Sequence, residues 1–280
     1  MITLNAGEAE ATILPERGAA FTRLAWQGRD LLRPVPPGAD PNRGFHGSFL
    51  MAPWTNRLDG GRIVVAGVAH RMPINRPEED TAIHGFLRDM AWEIAEAAPD
   101  RLVLACRFDR PPFRGEAKLI AGLAPDHLAL QIVLTNGGAV PTPMGLGWHP
   151  YFARPIGTRF SAATRIAFGR DARNLPIAPR PSAGLHDAAD AMDGLDGHFA
   201  GWDGAARIDW PDGHGLTLRA TGAWASNLHV FAPQGGGALA VEPVSHAPDA
   251  PNRPDAAAHG AMHQVMPGAS LDGSLMIHWA

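Results

Sequence analysis

Short apolar runs that alternate with polar residues at period two, each bounded by glycine or proline, restrict this chain more than any other feature. Between residues 127 and 135, Leu128, Leu130, Ile132 and Leu134 fall on one side, with Gln131 and Thr135 on the other. Residues 101–109 repeat the pattern: Leu102, Leu104, Cys106 and Phe108 oppose Arg101, Arg107 and Asp109. Leu216 and Leu218, and then Leu275, Ile277 and Trp279, extend it toward the C-terminal end. Successive side chains of a strand project to opposite faces, so each run lays one face on a core and the other in water. The 32 glycines and 26 prolines are spread between these runs, as turns in an antiparallel β protein are. Long amphipathic helices are hard to find; residues 82–97 contain Gly85 and fit a loop with a helical turn about as well. Proline-rich stretches at 33–41 and 247–254 read as surface loops. The class implied is all-β, a large antiparallel β-sandwich with few short helices. No repeat, low-complexity tail or linker interrupts it, so residues 1–280 are expected to form a single domain.

The chain has 280 residues, 45% of them hydrophobic, enough for a sizeable core. Acidic residues outnumber basic ones by 28 to 24, and the basic ones form no run. That balance gives no electrostatic reason to expect nucleic acid or a membrane surface as partner. A small molecule is the expected ligand, and a monomer or homodimer the expected assembly. The single cysteine, Cys106, excludes an internal disulfide and any cysteine-cluster metal site; its apolar run suggests a buried, inert thiol. The N-terminal residues lack a basic start and a long apolar stretch, so the expectation is a soluble, cytoplasmic protein.

Several familiar motifs fail on inspection. Gly145-Leu146-Gly147-Trp148-His149-Pro150 begins like a dinucleotide fingerprint, but proline replaces the last glycine and the surroundings are not βαβ. No Gly-x-Ser-x-Gly elbow and no phosphate-cradling loop occurs. Thirteen histidines invite a metal, yet there is no His-x-His, and the pair His259 and His263 flanks glycine in an expected loop. Neither a metal nor another cofactor is expected.

Two segments depart from core patterning in the same way. In 145–149, Leu146 and Trp148 oppose Gly145, Gly147 and His149; in 238–242, Leu239 and Val241 oppose Ala238, Ala240 and Glu242. Each presents one ionisable residue on a face otherwise cleared of bulk. A proline follows each, which places both at strand ends or rims. The small residues either floor a groove that a ligand enters or admit close packing from opposing structure. Patterning alone favours the second, with His149 and Glu242 at exposed strand ends.

Local motifs in order along the chain resemble the aldose 1-epimerase (galactose mutarotase) family. They are Leu14-Pro15-Glu16-Arg17-Gly18-Ala19-Ala20, Asn56-Arg57, and Ile83-His84-Gly85-Phe86 followed by Trp92. They continue with Gly147-Trp148-His149-Pro150-Tyr151-Phe152, Asp196-Gly197-His198-Phe199, Val241-Glu242, and Pro248-Asp249-Ala250 with Asn252. Each piece is short, but together they run from residue 14 to 252. The resemblance implies a galactose mutarotase-like supersandwich and a cofactor-free enzyme of carbohydrate metabolism that interconverts sugar anomers. It implies Glu242 as general base and His149 as general acid, with Arg57, His84, Asp196 and Asn56 binding the sugar. Asp193 and Asp203 lie near enough to compete with Asp196 for that place. The run before His149 reads Met-Gly-Leu-Gly-Trp, and a second glycine is missing after His84-Gly85. Those departures point to altered sugar specificity and remove no catalytic group.

The residue types suit the chemistry. Ring opening takes the C1 hydroxyl proton while the ring oxygen gains one; a carboxylate can do the first and an imidazolium the second, on opposite sides of the C1–O5 unit. That demands a cationic His149 beside an anionic Glu242. Trp54 and Trp148, next to matched motifs, are the candidate walls of the site, although Trp148 faces away from His149 in a regular strand, and His246 is a further candidate. Rival functions are a non-catalytic carbohydrate-binding or sensing protein on the same fold and a hexose 6-phosphate mutarotase. The latter calls for Arg57, Arg76 and Arg88 to converge on a dianion. A cupin-type metal isomerase would need the His-x-His pair that is missing.

Overall fold

A computed structural model describes residues 1–280 and contains 26 strands, five short 3-10 turns and one α-helix, Pro254–Gly260. The helix falls where the sequence suggests a loop, and residues 82–97 form strand, 3-10 turn and strand. No helix is long and apolar enough to cross a membrane.

The strands form an 11-stranded and a 9-stranded antiparallel sheet with three two-stranded ribbons. The smaller sheet follows the sequence pattern closely. His127–Asn136 alternates without interruption between half-buried and buried positions, and Ser270–Trp279 beside it buries Leu271, Gly273, Leu275, Ile277 and Trp279. Cys106 lies buried in Arg101–Arg110 among these residues, where loss of solvation pushes its thiol up to about 11, an unreactive state at neutral pH.

The larger sheet departs from simple alternation. Its two central strands, Gly147–Ala153 and Ala238–Val244, are buried almost throughout. One face of each carries Trp148, Leu239 and Val241 into a core cluster of 60 buried residues shared by both sheets. Trp148 is fully buried and meets the edge of Phe21 with ring centroids 5.8 Å apart. The other face carries His149, Tyr151, Ala240 and Glu242 beneath Phe45, Asn56, Arg57 and the 76–84 segment. Both faces are covered, so period-two polarity is lost at the place that matters most.

Contrary to the sequence reading, His149 and Glu242 are not at strand ends; their strands continue through Pro150 and Pro243. Paired rows between the two strands are interrupted between Gly147↔Val244 and Tyr151↔Ala240. Both prolines, which have no N–H to donate, lie in that gap.

Trp148 anchors the strand that carries His149. Trp148→Ala is expected to lower unfolding free energy by about 3–5 kcal/mol, measured by urea denaturation. A loss below about 1 kcal/mol would mean that the two sheets do not depend on this contact.

Candidate active site

Strand register builds the site. The rows Gly147↔Val244 and Tyr151↔Ala240 set His149 opposite Glu242, and the ladders continue through His149↔Phe49, Glu242↔His229 and His229↔His198. Directly opposed residues share a sheet face. Phe49, His149, Glu242, His229 and His198 therefore form one row across the sheet. The next row carries Tyr151, Ala240, Phe231 and Asp196.

Loops close over these rows. Arg57 pairs with Ile83 in a small antiparallel ribbon, and the His84 N–H donates to the Asn56 carbonyl at 2.9 Å. Asn56 (φ 50°) and His84 (φ 65°) both adopt left-handed backbone, a costly conformation for residues with a Cβ. Gly85 also has positive φ, and a Cβ there would lie 2.0 Å from the Ala52 carbonyl oxygen, so no other residue fits. The result is a cleft of about 250 Å³ with His149 and Glu242 at its floor. Phe45, Tyr151 and Phe231 line one part; Arg57, Glu79 and His84 line another.

His149 and Glu242 lie side by side, Nε2 to Oε1 3.1 Å, not on opposite sides of a gap. Adjacent strands in register make the two side chains neighbours on one face. The contact is close but poorly aligned: neither Glu242 oxygen has a hydrogen-bond partner, nor does His149 Nδ1. The imidazole is held between the rings of Phe49 and Tyr151, with centroids 4.5 and 4.6 Å away. Glu242 is only 1% exposed. Burial pushes its carboxyl well above the usual range, helped by the charge of Asp196 and opposed by Arg57. Burial pushes His149 well below the usual imidazole range, with the positive charge of Arg88 adding to it. Burial thus favours a neutral pair, opposite to the charge state that ring opening demands. His84, also buried, is shifted down in the same way, and its Nδ1 has no partner.

The remaining charges are neutralised locally. Arg57 makes a bidentate pair with Glu79, Nε to Oε2 2.7 Å and Nη2 to Oε1 3.0 Å. Asp196 accepts from His229 Nε2 at 2.8 Å and from Arg170 Nη1. Burial would raise the Asp196 carboxyl, but the His229 hydrogen bond and nearby positive charge outweigh it and hold it at about 2. Asp196 is the aspartate in the cleft; Asp193 pairs with Arg154 and the Gly235 N–H, and Asp203 caps the Ala205 N–H.

The structure brings His149, Glu242, Arg57, His84, Asp196 and Asn56 to this one cleft. It does not bring the tryptophans. Trp148 points into the core, and Trp54 stacks on Phe113 while donating to the Ala82 carbonyl. His246 is fully buried, where loss of solvation lowers its imidazole to about 4, and its Nε2 accepts from the Thr55 N–H at 3.0 Å, a structural role. Gly145 and Gly147 do not floor a groove: a Cβ on them would strike His246 or Met51. Sequence reasoning missed His229 and Glu79. His229 had a readable signal, since in Asn227–Phe231 it alternates with Leu228 and Val230 as His149 does with Leu146 and Trp148. The side chains close enough to share a metal ion, Asp126, His127 and His278, belong to the smaller sheet and not to the cleft.

Comparison with known proteins gives a consistent picture. A family model described as aldose 1-epimerase matches residues 1–273. YphB of Escherichia coli (strain K12), described as an uncharacterized protein, is 28% identical over 255 residues, covering 82% of this chain and 83% of its own length. A galactose mutarotase-like protein from Clostridium acetobutylicum superposes with TM-score 0.87 at 18% identity, covering 99% of this chain and 94% of that one. Another from Lactobacillus casei gives TM-score 0.82 at 18% identity, with both chains fully covered. At such identities the superpositions speak for the fold alone.

The buried carboxyl makes a testable demand on stability. Glu242 is raised in the folded state, so folding retains a proton that the unfolded chain releases above its own lower pKa. This group's contribution is complete below the unfolded value and is lost as pH climbs toward the folded one. Glu242→Gln has no proton to retain, so it is expected to gain about 1 kcal/mol or more on wild type between about pH 5 and pH 8. Parallel pH dependence of urea unfolding in the two proteins would show that Glu242 titrates normally.

Proposed function

The chain belongs to the aldose 1-epimerase family, and from that membership we propose that it interconverts the α and β anomers of a free aldose by acid–base ring opening and reclosure. The observation that carries this reading is the His149–Glu242 contact at the cleft floor, where both Glu242 oxygens and His149 Nδ1 are buried without a hydrogen-bond partner and Nε2 has only the Tyr151 hydroxyl at 3.5 Å. Buried polar groups are normally satisfied, and a structural role would have satisfied these.

The pair supplies a closed proton balance. When a ring-closed sugar sits over the floor, Glu242 as carboxylate faces the C1 hydroxyl and His149 as imidazolium faces the ring oxygen. Both oxygens are bonded to C1, so neighbouring side chains can serve them. Ring opening moves the C1 hydroxyl proton to Glu242 and the His149 proton to the ring oxygen, leaving a carboxylic acid and a neutral imidazole. That neutral pair is the state burial favours. The cleft therefore lowers the energy of the step that generates the open-chain aldehyde. Rotation about C1–C2 presents the other carbonyl face, and reclosure returns both protons.

Asp196, Arg57 and His84 grip the hydroxyls that do not react, while Phe45, Tyr151 and Phe231 offer apolar surface to the sugar's C–H face. Charge pairing supports a neutral substrate over a hexose 6-phosphate. Arg57 is committed to Glu79 and Arg170 to Asp196, and Arg76 lies 3.5 Å from Glu78. The common core of both sheets supports residues 1–280 as one domain.

Polarimetry or NMR exchange on α-D-glucose, α-D-galactose and further aldoses tests the reading. Wild type is expected to accelerate at least one of them, and Glu242→Gln and His149→Asn each to lose about 10²–10⁴-fold. The rate requires one proton on the pair. It should fall in acid, when His149 and Glu242 are both protonated, and in alkali, when neither is. Sugar binding without acceleration would favour the binding-protein alternative, and wild-type rates in Glu242→Gln would sink the assignment.

A further inference from the structure

Three hydrogen bonds run in series from the backbone of Arg57 to the carboxylate of Asp196. The Arg57 N–H donates to Asn56 Oδ1 at 2.9 Å, which fixes the amide with its donors on Nδ2. Nδ2 lies 3.3 Å from His229 Nδ1, so that ring nitrogen accepts and carries no proton. The imidazole proton is then on Nε2, which donates to Asp196 Oδ1 at 2.8 Å. Asn56 reaches this position because its backbone is left-handed. The other charged or titratable groups around His229 are Glu242 on one neighbouring strand, His198 on the other, and Arg57 beyond Asn56.

A carboxylate has about four lone-pair positions. His229 and Arg170 use one on each oxygen of Asp196, and Asp196 lines the cleft. We propose that Asn56 and His229 are positioning residues that hold Asp196 as an acceptor-only carboxylate toward the cleft, so that the site selects sugars offering a free hydroxyl as donor at that point. This rests on the reading of the cleft as a sugar site. It moves Asn56 from direct sugar contact to the support of another residue, and it gives His229 a role.

The first measurement needs no turnover. Long-range ¹H–¹⁵N spectra of the labelled protein should show His229 neutral, with the proton on Nε2, at neutral pH. A proton on Nδ1, or on both nitrogens, would overturn the proposal. The second uses two substitutions. His229→Gln keeps a donor near the position of Nε2 and should retain wild-type KM, whereas His229→Leu should raise KM about tenfold or more, a charged hydrogen bond's worth. In both, kcat should stay within about threefold. Equal impairment of the two variants would reduce His229 to a packing residue and refute the inference. The third compares the preferred sugar with analogues in which single hydroxyls become fluorine or methoxy, which accept but do not donate. At one position, both replacements should weaken wild-type binding about tenfold and leave His229→Leu unchanged. Equal binding of every analogue to wild type would also refute it. If no aldose is turned over while the spectra show the Nε2–H form, the catalytic reading fails and the hydrogen-bond series stands.

Discussion

An imidazole and a carboxylate lie against one another in the middle of a sheet, nearly out of reach of water and with no other hydrogen-bond partners of good geometry. Burial disfavours charge on either group, yet the proposed ring opening needs both charged at its start. The rest of the site can be understood as what that tension requires. Aromatic rings of Phe49 and Tyr151 hold the imidazole in place, and the Tyr151 hydroxyl lies 3.5 Å from its Nε2. Net charge nearby is kept low by pairing Arg57 with Glu79 and Arg170 with Asp196, so no single cation commits the proton to one partner.

The loops above the floor contribute through backbone shape as much as through side chains. Asn56 and His84 both take a conformation that costs roughly 1 kcal/mol or more for a residue with a Cβ. They are tied together by the His84 N–H to Asn56 carbonyl bond. Gly85 lets the loop lie against the Ala52 carbonyl, where any side chain would collide. These features bring His84 within 5.5 Å of the His149 ring, edge to face, and they explain why the two motifs occur 28 residues apart and still meet.

Much of this was legible in the sequence, and the gaps have physical causes. The smaller sheet announced itself because one face is wet: residues 127–136 alternate without a break. The central strands of the larger sheet did not, because loops bury their second face and the prolines suggested ends where the strands run on. His149 and Glu242 were visible as polar residues in apolar runs, but their contact depends on the pairing of strands almost a hundred residues apart, which no local pattern records. The opposite facing of Trp148 and His149 was readable from alternation along the strand, whereas the stacking of Trp54 on Phe113 depends on residues distant in sequence. Glu79 could not have been found, since its value lies in the guanidinium it meets and not in its own surroundings in the chain.

The row that runs Phe49, His149, Glu242, His229, His198 has a consequence for how this protein can change. Its members come from separate strands, and their spacing is inherited from the main-chain ladder, not from any adjustable loop. One residue inserted or deleted upstream of His149 within Gly147–Ala153 would turn Trp148 to the cleft and drive the imidazole into the dry interior. Substrate preference can therefore drift through the loops that roof the cleft, where length is free to vary, while the reactive pair can be inherited only whole or lost outright.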